Sequence, residues 1–201
     1  MKYLFPMKYY TVIDLEWTSW KQNYYGKYLE KEKRKKWQKK EIIQIGAIKF
    51  DKNYKIKEKL NLITKPKINK KLSTYIANLT SITNKVIKKK GIDFLDGFNK
   101  LEKFSKNSYV FSNGNDGAIL QKNLKYNNYF QKKIKIINIK KILEKKYKIP
   151  KSYLHSPRLK TYFGYKYCEK KAHHALFDCQ SIIYAMKKMN FDLNIFSKKS
   201  I

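Results

Sequence analysis

The chain has 201 residues, 42% of them hydrophobic and 15% aromatic, which suits one domain with a packed core and excludes a disordered chain. Its formal charge of +32 favours a polyanionic partner. The codon bias of an AT-rich genome yields the same excess of Lys, Ile, Asn and Tyr, so the charge permits nucleic-acid binding without establishing it. It is also spread along the chain: residues 121–151 hold eleven lysines and one acid, Glu144.

Residues 1–8 read as a short lead, and the N-terminus "MKYLFPMKYY" lacks the apolar run of a signal peptide. Residues 9–17, "YYTVIDLEW", read as a strand with bulky side chains on both faces, as in a central strand covered on both sides. Residues 41–50, "EIIQIGAIKF", form a second, β-branched strand. After the turn "DKNYK", residues 59–66 read as a third strand stopped by Pro66. Three strands in succession suggest an antiparallel meander. "LSTYIANLTSITNKVIKKKG" then has helical spacing with a Thr/Ser break in its middle. Residues 94–106 are amphipathic at helical period, with Phe94, Leu95, Phe98, Leu101 and Phe104 on or near one face. "SYVFSN" is a short strand ending in "NGND", and "GAILQKNL" starts a helix with Asp116 at its edge. "KIINI" is a fifth strand leading into the helix "KKILEKKYK", and a short helix is expected from Arg158 to Phe163. The last element is the helix "HHALFDCQSIIYAMKKM".

The expected fold class is therefore α/β: a mixed five-stranded sheet, three antiparallel strands then two further strands, with helices on both faces. The expected domain runs from 9 to 189, with a frayed tail from 190 to 201. Cys168 and Cys179 form no CxxC pair, which argues against zinc and against a disulfide framework. No apolar run approaches the roughly 20 residues of a membrane span, so a cytoplasmic protein with no membrane partner is expected. One segment stands outside the pattern. Residues 18–40 carry nine Lys or Arg against two Glu, interleaved with Trp20, Tyr24, Tyr25, Tyr28 and Trp37. Cations beside aromatics suit single-strand binding by phosphate contact and base stacking; the alternative is a solvated insertion.

With only fifteen acids in the chain, their placement is informative. Asp14 and Glu16 are two apart in a strand and share a face. Asp116 follows the fourth strand, and Asp178 lies on the last helix, five residues after His173. Four carboxylates on converging elements suit a hard cation, since Mg²⁺ and Mn²⁺ take oxygen ligands, and two such ions about 4 Å apart stabilise in-line displacement at phosphorus. Each piece has a commonplace alternative: DxE occurs in many strands, Asp116 fits a helix N-cap, and both histidines fit a surface.

Their order resembles the DEDDh 3′–5′ exonucleases, of ribonuclease H-like fold. The family's DxE in its first strand is matched by "VIDLEW", its second acid by "FSNGNDGAILQKNL", and its His, four residues, Asp motif by "HHALFD". "EIIQIGAIKF" and "LTSIT", 79–83, are similar to the family's second strand and its LTGIT segment. "DLEWTSW" with "EIIQIGAI" most resembles the ERI-1-like branch, which includes the sporulation inhibitor KapD-like proteins.

The resemblance implies a two-ion, Mg²⁺- or Mn²⁺-dependent enzyme acting on 3′ ends of single-stranded RNA or DNA, RNA slightly preferred, and releasing 5′-nucleoside monophosphates. Asp14 would bridge both ions, Glu16 and Asp178 would complete one shell, and Asp116 would hold the second ion. His173 would accept the proton of the attacking water. Leu15, Trp17 and Trp20 would lie beside the terminal nucleotide, with Ile82 wedged against its base. Two departures from the pattern concern the site: the second motif reads "SNGND", and the 18–40 insertion is long and basic. Helical spacing alone favours His174 with Asp178, four apart; the family spacing selects His173. The alternatives are a DNA-directed proofreading-type exonuclease and a basic nucleic-acid-binding protein without catalysis.

Overall fold

The computed structural model describes residues 9–21, 35, 37–130, 134–168 and 172–193. β1 (Tyr9–Trp17) lies at the centre of the sheet, and its two faces meet different partners. Tyr10 and Val12 enter one core with Ile48, Phe50 and Phe111, whereas Ile13 and Leu15 enter another with Ile45, Ala47 and Phe98. Alternate side chains of a strand point to opposite faces, so a strand buried on both sides carries large residues throughout. β2 (Ile42–Phe50) and β3 (Ile56–Ile63) extend the sheet antiparallel on one side. β4 (Ser108–Ser112) and β5 (Ile136–Asn138) extend it parallel on the other, giving the order β3-β2-β1-β4-β5. This is the mixed five-stranded sheet that the sequence predicts.

The helices cover both faces. α3 (Phe94–Phe104) and α4 (Asp116–Tyr126) pack Phe98, Leu101, Ile119 and Leu120 under Ile13 and Leu15. α5 (Lys140–Lys145) and α6 (Ala175–Lys188) pack Leu143, Ile182 and Met186 on the opposite face. The predicted interruption between 72 and 91 is real. α1 (Thr74–Thr80) and α2 (Asn84–Lys90) are separated by Ser81 in the left-handed region, φ 59°, and Ser73 and Thr83 cap their N-termini. The third strand sits earlier than its predicted 59–66. The Asp51 carboxylate accepts from the Asn53 and Lys55 main-chain N–H groups, closing a tight turn that lets pairing resume at Ile56. It ends before Pro66, where Thr64 turns its hydroxyl to the Ile42 carbonyl. The short helix predicted from Arg158 is a 3₁₀ segment, Ser156–Phe163, after a shorter one at Lys151–Tyr153. Among the described residues, no helix is long and apolar enough to cross a membrane.

One contact sets the position of α6. A Cβ built on Gly46 would lie 2.6 Å from the Ala175 Cβ, 2.7 Å from the Ala175 carbonyl carbon and 2.8 Å from the Leu176 nitrogen. The first turn of α6 therefore rests directly on the β2 backbone, and only glycine allows it. Gly46 stands opposite Asp14 in the β1–β2 register, and Gln44 opposite Glu16. Gln44 Oε1 accepts from the Ala175 N–H at 3.2 Å, satisfying one of the free donors at the helix start.

Candidate active site

The C-terminal ends of β1 and β4 open into a cleft of about 300 Å³, at the lower end of the range for ligand pockets. Parallel strands of an open sheet present ligand sites at this end, where the chain order reverses. Asp14 and Glu16 reach the cleft from β1, on the face that carries α6. Asp116 reaches it from the first turn of α4, Asp178 from the first turn of α6, and His173 from the residue pair before α6. Asp116 is tied to β1 directly, since its Oδ1 accepts from the Leu15 main-chain N–H at 3.1 Å. Asn113 joins the β4–α4 turn to the far wall by donating to the Leu154 carbonyl at 2.9 Å.

All four carboxylates are buried, with Asp178 only 2% exposed. Burial pushes Asp14 well above the usual carboxylate range, and the charges of Asp116, Asp178 and Glu16 push it further. Glu16 is raised well above its ordinary value by burial, then by Asp178 and Asp116. Asp116 is raised to about 6 by burial. Burial takes Asp178 to about 8, with a hydrogen bond from the His173 main chain and the Lys160 charge opposing. His173 is lowered, first by burial and then by His155. Four buried acids, three of them raised further by neighbouring carboxylates, are a costly arrangement for a protein to bury alone.

The donor set fits a hard divalent cation. Glu16, Asp178 and His173 each place a ligand atom within 4.8 Å of the other two. Asp178 Oδ1 is buried without a hydrogen-bond partner among the described residues, although buried polar atoms are nearly always paired. Carboxylate oxygens in this number suit Mg²⁺ or Mn²⁺.

The chain has recognisable relatives. The model of the Exonuclease family matches residues 11–186. The chain belongs to the exonuclease family. No curated protein matches the exonuclease sequence, but solved structures share its fold. One is the nuclease domain of 3′hExo, a DEDDh family member, bound to rAMP: TM-score 0.74, 20% identity, covering 91% of this chain and 92% of that one. Another is cell-death related nuclease 4: TM-score 0.73, 19% identity, covering 92% of this chain and 64% of the other. A third is E. coli exonuclease I in complex with a dT13 oligonucleotide: TM-score 0.67, 13% identity, covering 92% and 41%. The resemblance drawn from the sequence, to DEDDh exonucleases of ribonuclease H-like fold, is borne out by the family match and the shared fold.

In this exonuclease the five polar residues singled out in the sequence line one cleft, together with Leu15 and Trp17. His174 lines a separate pocket with Gln44 and Ile82. Helical spacing favoured His174, but α6 begins only at Ala175. His174 precedes the helix, and His173 takes a left-handed turn, φ 59°, that brings it to the acids. Ile82 is not among the residues that line the cleft. The turn at Ser81 sends it into a small core with Ile43, Leu72 and Ile76; one turn earlier, Ile76 and Leu79 of α1 form the apolar wall of the cleft. Trp20 is buried and is not among the residues lining the cleft, whereas Ser19 is. Most of the 18–40 insertion, including Tyr24, Tyr25 and Tyr28, lies outside the described residues. Its two ends are anchored: Thr18 Oγ1 donates to the Lys39 carbonyl at 2.8 Å, and Asn123 Nδ2 to the Lys40 carbonyl at 3.0 Å. Buried Glu41 is an acid of another kind, accepting from the main-chain N–H groups of Lys67, Ile68 and Asn69.

The sequence reading passed over His155, Lys140 and Ser156, which also line the cleft. No spacing connects them to the acids, because the wall that carries them comes from a separate segment. The signal available was scarcity: the chain has three histidines, and two of them face the cleft.

Proposed function

We propose that this exonuclease releases 5′-nucleoside monophosphates from the 3′ end of single-stranded nucleic acid, RNA slightly preferred over DNA, with two Mg²⁺ or Mn²⁺ ions. The observation that carries the reading is the buried group of Asp14, Glu16, Asp116 and Asp178 with His173 around one cleft. When bound, the ions supply charge neutralisation at phosphorus and Lewis acidity. Asp14 would serve both ions, Glu16 and Asp178 would hold one, and Asp116 the other. The Leu15 N–H fixes the Asp116 carboxylate for that task. His173, held below its ordinary value by burial, lines the cleft and would accept the proton of an attacking water. Leu15, Trp17, Ile76 and Leu79 form the apolar side of the cleft, where the terminal nucleoside would lie. Lys140 brings positive charge to the same cleft, beside His155, which burial and the charges of Lys140 and Arg158 hold below its ordinary value.

The RNA preference rests on fold neighbours described with a histone mRNA stem-loop and with rAMP; a dT13 complex keeps DNA as the second substrate. A divalent ion is supported by a neighbour described as a zinc-bound exonuclease I–ssDNA complex. The catalytic unit is residues 9–189, and it acts in the cytoplasm. The test is incubation with 5′-labelled RNA and DNA oligonucleotides, with and without Mg²⁺. A ladder shortening from the 3′ end, faster on RNA, is expected. Faster shortening of DNA would move the reading to the DNA-directed alternative, and binding without shortening to a non-catalytic protein.

A further inference from the structure

Beside the cleft lies a surface that the catalytic reading does not use. The segment 151–168 contains four tyrosines, four Lys or Arg and no acid. Tyr153, Tyr162, Tyr165 and Tyr167 are 37%, 42%, 51% and 40% exposed. Among the described residues, these are four of the seven large apolar side chains left exposed, so the exposure is concentrated in one segment of eighteen residues, as at interaction surfaces.

The local structure explains why they face outward. In the 3₁₀ segment Ser156–Phe163, Pro157 and Leu159 are buried, and Arg158 and Tyr162 are left on the outer side. Gly164, φ 81°, then turns the chain back, presenting Tyr165 and Tyr167. The buried Lys160 ammonium sits 4.3 Å from the Tyr165 ring centroid and 3.8 Å from that of Phe177, holding the first ring from beneath. Tyr153 and Tyr162 pack at 60° with centroids 5.4 Å apart, and Tyr165 packs edge-on against Tyr184 at 5.3 Å, yet all four tyrosines of the segment stay at least 37% exposed. Arg158 lies 5.5 Å from the Tyr167 centroid. Between them is a shallow pocket of about 300 Å³ lined by Ser152, Tyr153, Arg158, Thr161 and Tyr167.

This surface is continuous with the cleft, since one turn of chain lines both. Tyr153 and Arg158 flank Leu154, His155, Ser156 and Pro157, which form the cleft wall. Two peptide units separate Tyr153 from His155, at most about 7.6 Å between Cα atoms.

We propose that the tyrosine face of 151–167 is a stacking platform for the nucleotides upstream of the 3′ terminus. The inference rests on the exonuclease reading of the neighbouring cleft. Base rings stack on exposed tyrosine faces without regard to sequence, Arg158 adds a planar cation that stacks and contacts phosphate, and the segment itself carries no acid.

The experiment measures affinity in EDTA, so that binding is read apart from cleavage. The probes are a labelled single-stranded 20-mer and the same 20-mer with abasic residues from the second to the sixth position from the 3′ end. Tyr153→Ala and Tyr167→Ala should each weaken the intact 20-mer about tenfold, whereas the Phe variants, which keep the ring, should bind as wild type. The abasic probe should bind wild type correspondingly more weakly and no longer separate it from the Ala variants. In Mg²⁺ the Ala variants should release the terminal nucleotide of the abasic 20-mer at the wild-type rate, which shows the cleft intact. Unchanged affinity of the Ala variants, an equal loss in the Phe variants, or a loss that persists on the abasic probe would overturn the platform. Failure of the exonuclease reading shows separately, as wild-type binding with no shortening in Mg²⁺.

Discussion

Replacing Gly46 by alanine tests how the site is assembled. The new Cβ would stand 2.6 Å from the Ala175 Cβ and 2.7 and 2.8 Å from the backbone of Ala175 and Leu176. Ordinary contact begins at about 3.4 Å, so the first turn of α6 must retreat by roughly 1 Å. Such overpacking costs about 1–3 kcal/mol, which for a chain of this length lowers the melting temperature by roughly 2–12 °C. Activity should fall further than stability. The same turn carries Asp178, with His173 just before it, and a 1 Å misplacement of reacting groups costs on the order of 100-fold in rate. The assay is single-turnover shortening of a 5′-labelled oligonucleotide at a temperature where the variant is fully folded. Gly46→Ala combined with Ala175→Gly should not recover the rate, because it removes the side-chain contact and leaves both backbone contacts. A Gly46→Ala protein that melts and cleaves like wild type would refute the reasoning that contact of α6 with β2 places Asp178.

Other outcomes are expected from the same site. His173→Ala should lower the rate by about 10²–10⁴-fold, the usual worth of a general base, and His174→Ala should not; the reverse result in the same cleavage assay would exchange their roles. Asp14→Asn should abolish shortening yet raise the melting temperature in EDTA, because it removes one of four buried like charges; a lower melting temperature would contradict that. Asp178 is held at about 8 against an ordinary 3.8, so between about pH 4 and 8 the folded protein keeps a proton that the unfolded chain releases. Its contribution to stability is therefore full below about pH 4 and is lost as pH rises through about 8. Melting in EDTA across that window should show a decline that Asp178→Asn flattens, and a decline of equal slope in the variant would assign it elsewhere. Adding Mn²⁺ should raise the melting temperature of wild type near pH 8 by binding the folded state alone, an effect that Asp14→Asn should lose.

Elements with strong local character were legible in the chain. The alternation of β1, the β-branched run of β2 and the apolar stripe of α3 each reflect a period that burial imposes on the sequence. The Asp14–Glu16 pair was legible for the same reason, since two residues apart on a strand means one face. The boundaries of β3 were less so, because two main-chain hydrogen bonds accepted by the Asp51 carboxylate, not a propensity, decide where pairing resumes. The placements of Ile82 and Trp20 differed from expectation because each depends on where a turn sends the chain: Ser81 in one case, the anchored ends of the insertion in the other.

The order of acids and histidine along 201 residues was enough to indicate family, sheet and chemistry, because those motifs sit on elements whose period is local. Which histidine meets the acids was a tertiary decision. It turns on a left-handed residue before α6 and on a glycine that lets the helix touch the sheet. His155, the Ile76–Leu79 wall and the tyrosine face were tertiary decisions as well. They come from segments with no sequence relation to the motifs, and only packing around the ends of β1 and β4 brings them to one cleft.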